Sequence, residues 1–208
     1  LFEPPCASCR APLEHPLDGA VCGVCWAGIG ASRAVDERFD EAHPIARQIA
    51  VDAYEGRMKD IIHALKYDRR RSISRRLGAL MRDAGADLLR DADCVVPVPL
   101  HPWREYRRGF NQAHALAVHL GPDVTPLLKR IVHTPSQIDL PRDQRMANVR
   151  DAFTLTDPGS RPVPGIVVLV DDVATTGATL ESCARVLRRG GVREIRALTA
   201  ARVVNARR

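Results

Sequence analysis

From Arg57 onward, apolar residues fall at Met58, Ile61, Ile62 and Leu65. That i, i+3, i+4, i+7 spacing puts one apolar stripe on a helix. A second stripe, Leu77, Leu80, Met81, Ala84 and Leu88, predicts a helix over 73–89. AHALAVHL at 113–120 and the stretch 179–189 predict two more helices, the last stopped by Gly190-Gly191. Short apolar runs predict strands at 49–54, 94–100, near Val124, at 153–155, 166–170 and 194–200. Strands alternating with helices predict an α/β fold, a mostly parallel sheet with helices on both faces. The connection after CVVPVPL reads as a long polar loop, and DPGSRP as a turn. Residues 129–150 are polar, basic and poor in core residues, which predicts a functional loop or lid.

The first 35 residues differ from the rest. They are rich in Cys, Pro and Gly, with little apolar periodicity, and cannot bury a core of their own. Residues 36–48 read as a charged linker, and 49–208 as the main domain, with hood elements within 49–90. Four of the six cysteines form Cys6-x-x-Cys9 and Cys22-x-x-Cys25. Each pair sets two thiolates on one tight knuckle, and two knuckles complete a tetrahedral structural zinc site. All four ligands are thiolates, so no open position for catalysis is expected. Disulfides are the rival, disfavoured in a cytoplasmic chain. His15, between the pairs, reads as a surface residue, and Cys94 and Cys183 as buried small hydrophobes.

The chain has 208 residues, a net charge of +6 and 45% hydrophobic residues, enough for one ordinary domain and a small appendage. No apolar run approaches membrane-spanning length, and the N-terminus lacks the basic and apolar regions of a secretory signal. The expectation is a cytoplasmic protein. Its basic bias favours phosphate-rich partners, either nucleic acid or a phosphorylated small molecule.

VVLVDDVATTGATL, residues 167–180, carries the densest chemistry. An apolar strand is expected to end at Asp171-Asp172, at the sheet edge where open α/β folds bind ligands. The chain then bends into a helix N-terminus, where backbone N–H groups favour an anion. Small residues allow close approach, and Thr175, Thr176 and Thr179 add hydroxyls. This is a phosphate cradle. It is not a P-loop, because no Gly-Lys-Ser/Thr follows, and no G-x-G-x-x-G follows a strand. A carboxylate pair beside a phosphate pocket suits a ribose 5-phosphate with free hydroxyls, or Mg²⁺. Helix capping would explain one Asp or Thr but not this whole set.

The stretch resembles the phosphoribosyl pyrophosphate (PRPP) motif of type I phosphoribosyltransferases. With the cysteine pairs and the run from Arg107 to Gln112 (RRGFNQ), the chain resembles the ComF family of competence-associated, phosphoribosyltransferase-like proteins. Tyr54-Glu55-Gly56, Leu65-Lys66-Tyr67, Gln137-x-x-Leu140 and Arg145-x-x-Asn148 add to the match. The resemblance implies a type I phosphoribosyltransferase fold behind a small zinc ribbon. It implies a 5-phosphate held by Ala174, Thr175, Thr176, Gly177, Ala178 and Thr179, with ribose hydroxyls and Mg²⁺ at Asp171 and Asp172. Pyrophosphate would lie on the loop with Leu100, His101 and Arg104, with Arg107 and Arg108 adding charge. Lys129, Arg130, Arg142 and Arg145 are the lid candidates. Asp172 is a candidate general base by resemblance.

Lys66, Arg69, Arg70, Arg71, Arg75 and Arg76 lie close together, with Tyr67 among them. Such a cluster could track a single-stranded DNA backbone and stack a base, or could be a solvated helix face. Aromatic content is only 4%, so no stacking platform is evident, and nothing spells a purine or pyrimidine preference. Three functions follow. The first is a PRPP-binding protein that handles single-stranded DNA in natural transformation, alongside DNA-uptake or recombination proteins. The second is an active phosphoribosyltransferase with an unknown acceptor. The third is a PRPP-sensing regulator without turnover.

Overall fold

The computed structural model describes residues 5–13, 19–30, 34–67, 70–131, 152–157, 159 and 162–204. The elements are α1 (Gly23–Ala27), β1 (Val35–Arg38), β2 (Arg47–Ala53), α2 (Gly56–Tyr67), α3 (Ile73–Ala84), α4 (Ala86–Leu89), β3 (Cys94–Pro97), α5 (Pro102–Arg108), α6 (Gln112–Ala117), β4 (Leu128–Arg130), β5 (Phe153–Leu155), β6 (Ile166–Ala174), α7 (Ala178–Arg189) and β7 (Glu194–Arg202). A five-stranded sheet runs β1-β2-β7-β6-β3, and β4 and β5 form a separate antiparallel pair. Only the β1–β2 pairing within the large sheet is antiparallel.

The sheet buries both faces, and alternation along β6 shows how. Val168 and Val170 join Val95, Leu198 and Ala200 under α2, α3 and α6. Val167 and Leu169 point the other way, with Val96, Ile195 and Ala197, against α7. The α2 stripe is buried as its spacing predicts: Met58, Ile61, Ile62 and Leu65 are all covered.

Several expectations need correcting. Residues 36–48 are not a linker, since they hold most of β1 and the start of β2. Arg38 pairs with Arg47 across the hairpin, and Arg47 binds the Asp36 carboxylate through Nε and Nη2 at 2.9 and 2.7 Å. The helix expected over 73–89 divides at Gly85, between α3 and α4. A Cβ there would lie 2.7 Å from a Leu198 methyl, so the sheet requires glycine at that close approach. The polar connection after β3 contains α5, and the stretch expected to begin the lid is partly β4.

The N-terminal segment shares the main core. Cys6, Leu13, Val21, Trp26 and Ile29 pack in the same cluster as Ile49, Met58 and Ile61. Polar ties reinforce this: Gly30 N donates to Asp52 Oδ2 (3.2 Å), and Ser8 Oγ to Asp60 Oδ2 (3.2 Å). Cys94 and Cys183 are buried, as expected of small hydrophobes.

Candidate functional site

β6 does not stop at its carboxylates. Its ladder to β7 continues through Asp171↔Thr199 and Val173↔Ala201 to Ala174↔Arg202. Because side chains alternate along a strand, the two acids lie on opposite faces. Asp172 continues the Val168–Val170 row toward α2, where it accepts from Lys66 Nζ at 2.8 Å. Asp171 continues the Val167–Leu169 row, with Arg130 and Cys183 among its electrostatic neighbours.

Lys66 therefore belongs to this site. The sequence reading grouped it with an exposed basic run, but its side chain is mostly buried. The signal was available: Lys66 is four residues after Ile62, so it continues the buried stripe of α2 to the sheet edge. Burial alone would lower the Lys66 pKa, but Asp172 and, more weakly, Asp171 outweigh it and raise it. Asp171 moves the other way for a carboxyl. Burial, with the Asp172 charge beside it, pushes Asp171 up to about 7.

The cradle lies between β6 and α7. Gly177 takes the left-handed conformation (φ 81°) and is the N-cap of α7, which has no side-chain cap. Thr176 Oγ1 reaches the Ala178 N–H at a long 3.4 Å. Capping thus does not consume the hydroxyls of Thr175 and Thr179. Thr175 is exposed, and Thr179 partly so.

The third wall comes from the chain after β3, and its geometry explains the run from Arg107 to Gln112. Gly109 ends α5 in the left-handed conformation (φ 78°). Phe110 lies under Arg71, whose guanidinium carbon is 4.6 Å from the ring centroid and whose Nη2 donates to Gly109 O. Asn111 caps α6 through Oδ1 to Ala113 N (2.9 Å), while its Nδ2 donates to Val98 O (3.0 Å). Gln112 is buried and accepts from Arg108 Nη1 (3.0 Å). His101 accepts from Trp103 N (3.2 Å) and starts α5, and Leu100 beside it is half-buried. Burial, then the Arg108 charge, lower the Arg104 pKa; burial, then Arg104, lower that of Arg130. Guanidinium groups stay charged regardless.

Other candidates are dispersed. Lys129 is exposed on β4, while Arg130 is buried, 5.3 Å from the Phe153 ring centroid. Arg76 lies over Trp26 at 5.3 Å, and Arg108 over Tyr67 at 5.3 Å. Arg70 is half-buried and Arg75 exposed. Arg107 is 4.9 Å from the Trp103 ring centroid. Arg69, Arg142, Arg145 and His15 lie outside the described residues.

Away from the cradle, the Sγ atoms of Cys6, Cys9, Cys22 and Cys25 all lie within 4.8 Å of one another, a cluster that can hold a metal ion. The Cys9–Cys22 sulfur separation is 3.8 Å. Tetrahedral zinc with bonds of ~2.3 Å sets sulfurs about 3.8 Å apart, so the cluster fits a zinc ribbon. Arg10 follows the first knuckle with φ 65°, and Cys22 N donates to Cys6 Sγ (3.3 Å).

Residues 108–207 match the family model for the phosphoribosyl transferase domain. Fold and site together define a phosphoribosyltransferase-domain protein. The chain is 31% identical over 200 residues to DNA utilization protein YhgH of Salmonella typhimurium, covering 89% of this chain and 78% of that one. It is 37% identical over 131 residues to Competence protein F of Haemophilus influenzae, covering 60% of this chain and 57% of that protein's length. Among solved structures it is similar to orotate phosphoribosyltransferase from Aeropyrum pernix, with a TM-score of 0.38 and 18% identity over 85% of this chain and 89% of that one. The chain belongs to the ComF family. No helix among the described residues is long and apolar enough to cross a membrane.

Proposed function

We propose that the chain binds PRPP with Mg²⁺ in the β6–α7 cradle and handles single-stranded DNA in natural transformation. The observation that carries the first part is the convergence on one sheet edge of opposite chemistries. A left-handed glycine opens α7 next to two carboxylates, and Lys66, Arg104, Arg108 and Arg130 supply cations around them. Phosphate needs the helix N-terminus and hydroxyls. Ribose hydroxyls need carboxylate acceptors, and a leaving pyrophosphate needs guanidinium groups. The DNA part is supported by the names of the relatives and by the basic balance of +6. The four-cysteine cluster supports a structural zinc ion.

The Asp pair would meet the ribose hydroxyls and Mg²⁺, each acid from its own face of β6, and Mg²⁺ would neutralise charge developing on pyrophosphate. If turnover occurs, a nucleophile–C1 bond forms as the C1–oxygen bond to pyrophosphate breaks. A proton lost by the nucleophile would pass to one of the two carboxylates, and Asp172 is the base that the family resemblance offers.

Calorimetric titration of the zinc-loaded protein with PRPP tests the cradle. Saturable, Mg²⁺-linked binding is expected. Thr176→Val should weaken it at least tenfold, and Gly177→Val should abolish it, because a β-branched residue at φ 81° distorts the turn. No heat in the wild-type protein would remove PRPP from the account.

The raised Asp171 pKa predicts a pH dependence with a definite sign. An Asp in an unfolded chain ionises near 4, and this one at about 7 when folded. Its contribution to stability is therefore full below pH 4 and is lost as pH rises through 7. Asp171→Asn should raise the melting temperature at pH 8, with the difference vanishing toward pH 4. Mg²⁺–PRPP binding needs the carboxylate, so it should strengthen from pH 6 to pH 8. A flat pH profile in both measurements would contradict the assignment.

A further inference from the structure

Between Arg108 and Gln112 each residue has a structural partner, yet one buried group is left over. Gly109 makes a left-handed turn, Phe110 lies under Arg71, and Asn111 caps α6 while its Nδ2 donates to Val98 O. Gln112 is 1% exposed, and its Oε1 accepts from Arg108 Nη1 at 3.0 Å. A guanidinium only donates, so the atom facing it has to be the amide oxygen, and the amide cannot be turned round. Nε2 then offers two N–H donors. It is buried and has no hydrogen-bond partner among the described residues.

A buried donor without an acceptor is costly, and such groups are few in folded proteins. Gln48 Nε2 and Thr199 Oγ1 share that state, but Gln48 lies near the start of β2, and the Thr199 hydroxyl can rotate to suit its surroundings. Gln112 is placed differently, at the carboxyl edge of the sheet. Val98 N donates to Val170 O (2.9 Å), one residue before Asp171, and the turn that Gln112 follows hangs from Val98 O. Arg108, which fixes the amide, lies over Tyr67 at 5.3 Å, and its charge acts on Lys66. Lys66 in turn is bonded to Asp172. The amide thus belongs to a group of donors: its own Nε2, the Arg108 guanidinium and the Lys66 ammonium. The Asp172 carboxylate already accepts from Lys66. A hydroxyl brought here would have its own proton to place, whereas a phosphate oxygen only accepts.

We propose that Gln112 is a ligand-binding residue, its side-chain amide donating to an oxygen of the pyrophosphate group of the phosphoribosyl ligand. This rests on the reading that the chain binds PRPP, and it adds a neutral, buried donor to the cations at the pyrophosphate end. The bond to Arg108 orients the amide, so one glutamine serves the site twice, by steadying a guanidinium and by donating itself. It also accounts for a buried amide at the first position of α6, where the helix itself asks for no polar side chain.

The test titrates the zinc-loaded full chain with three probes in Mg²⁺: PRPP, inorganic pyrophosphate and ribose 5-phosphate. Gln112→Met keeps the size of the side chain and removes the amide. It should weaken pyrophosphate and PRPP about tenfold or more, the loss of a hydrogen bond to a charged group, and leave ribose 5-phosphate within twofold. A cycle with Arg108→Met separates donation from positioning. If Gln112 donates to the ligand, adding Gln112→Met to Arg108→Met should weaken pyrophosphate further by a similar factor. No further loss would mean that Gln112 acts only through Arg108, and would overturn the proposal. So would unchanged pyrophosphate binding in Gln112→Met, or an equal loss for ribose 5-phosphate, which marks a general structural defect. A measurement on the wild-type chain stands apart from the variants: the Gln112 side-chain amide signal in ¹⁵N NMR, assigned through the backbone, should shift on adding pyrophosphate. An unmoved signal at saturation would overturn the proposal and leave PRPP binding intact. Failure of the wild-type chain to bind PRPP at all would overturn that reading and the proposal with it.

Discussion

Replacing Lys66 with methionine is expected to destabilise the protein by about 2–3 kcal/mol. Removing one partner of a fully buried ion pair costs roughly 3–5 kcal/mol, because the remaining charge is stranded. Lys66 and Asp172 retain 17% and 8% side-chain exposure, so water partly screens the loss and it falls at or just below the bottom of that range. For a chain of this size that is a fall of roughly 4–12 °C in melting temperature. Methionine keeps the apolar stem of α2, so the loss reports the charge and not a cavity. The double change Lys66→Met with Asp172→Asn should recover most of it, since no buried charge is left unpaired. Thermal melts of the single and double variants measure the coupling. The single variant should also bind Mg²⁺ more tightly without PRPP, because Lys66 no longer occupies the Asp172 carboxylate. A double variant no more stable than Lys66→Met would show that the pair is not coupled.

Chelation of the bound metal, or Cys25→Ser, should have the other large effect. The N-terminal segment has little apolar surface of its own, and structural zinc supplies folding free energy directly. Its collapse would not stay local. Trp26 and Ile29 share a core with Met58 and Ile61 of α2, and α2 carries Lys66 to the cradle. The expected result is a drop on the order of 10 °C in melting temperature and a red shift of Trp26 emission, both reversed by added zinc. PRPP binding should weaken as well, as α2 loses its outer support. Metal analysis finding no zinc, with Trp26 emission unmoved by chelator, would show that packing alone holds the ribbon.

The features that sequence reading caught share a physical basis: each is local. The α2 stripe is a 3.6-residue period, and the cysteine spacing is the bite of two knuckles. A buried strand leading into Asp171-Asp172 identified the sheet edge, because a ligand-facing edge is where an apolar run gives way to carboxylates. What those residues face was not local. The polarity of the pair suggested that β6 ends there, but backbone bonds to β7 ignore side-chain polarity and carry the strand to Ala174. Opposite facing of the two acids follows, and with it their different partners.

The sequence by itself determined the class of fold, the family and the four-cysteine cluster, because periodicity, motif and spacing are written over a few neighbouring residues. Only the tertiary structure decided that Lys66 serves the acid pair, since that contact joins a helix near the start of the chain to a strand near its end. It alone placed both ends of residues 36–48 in the sheet and raised Asp171 to about 7, because both depend on what packs around them. α5 was illegible for a related reason: a helix that buries nothing carries no apolar period.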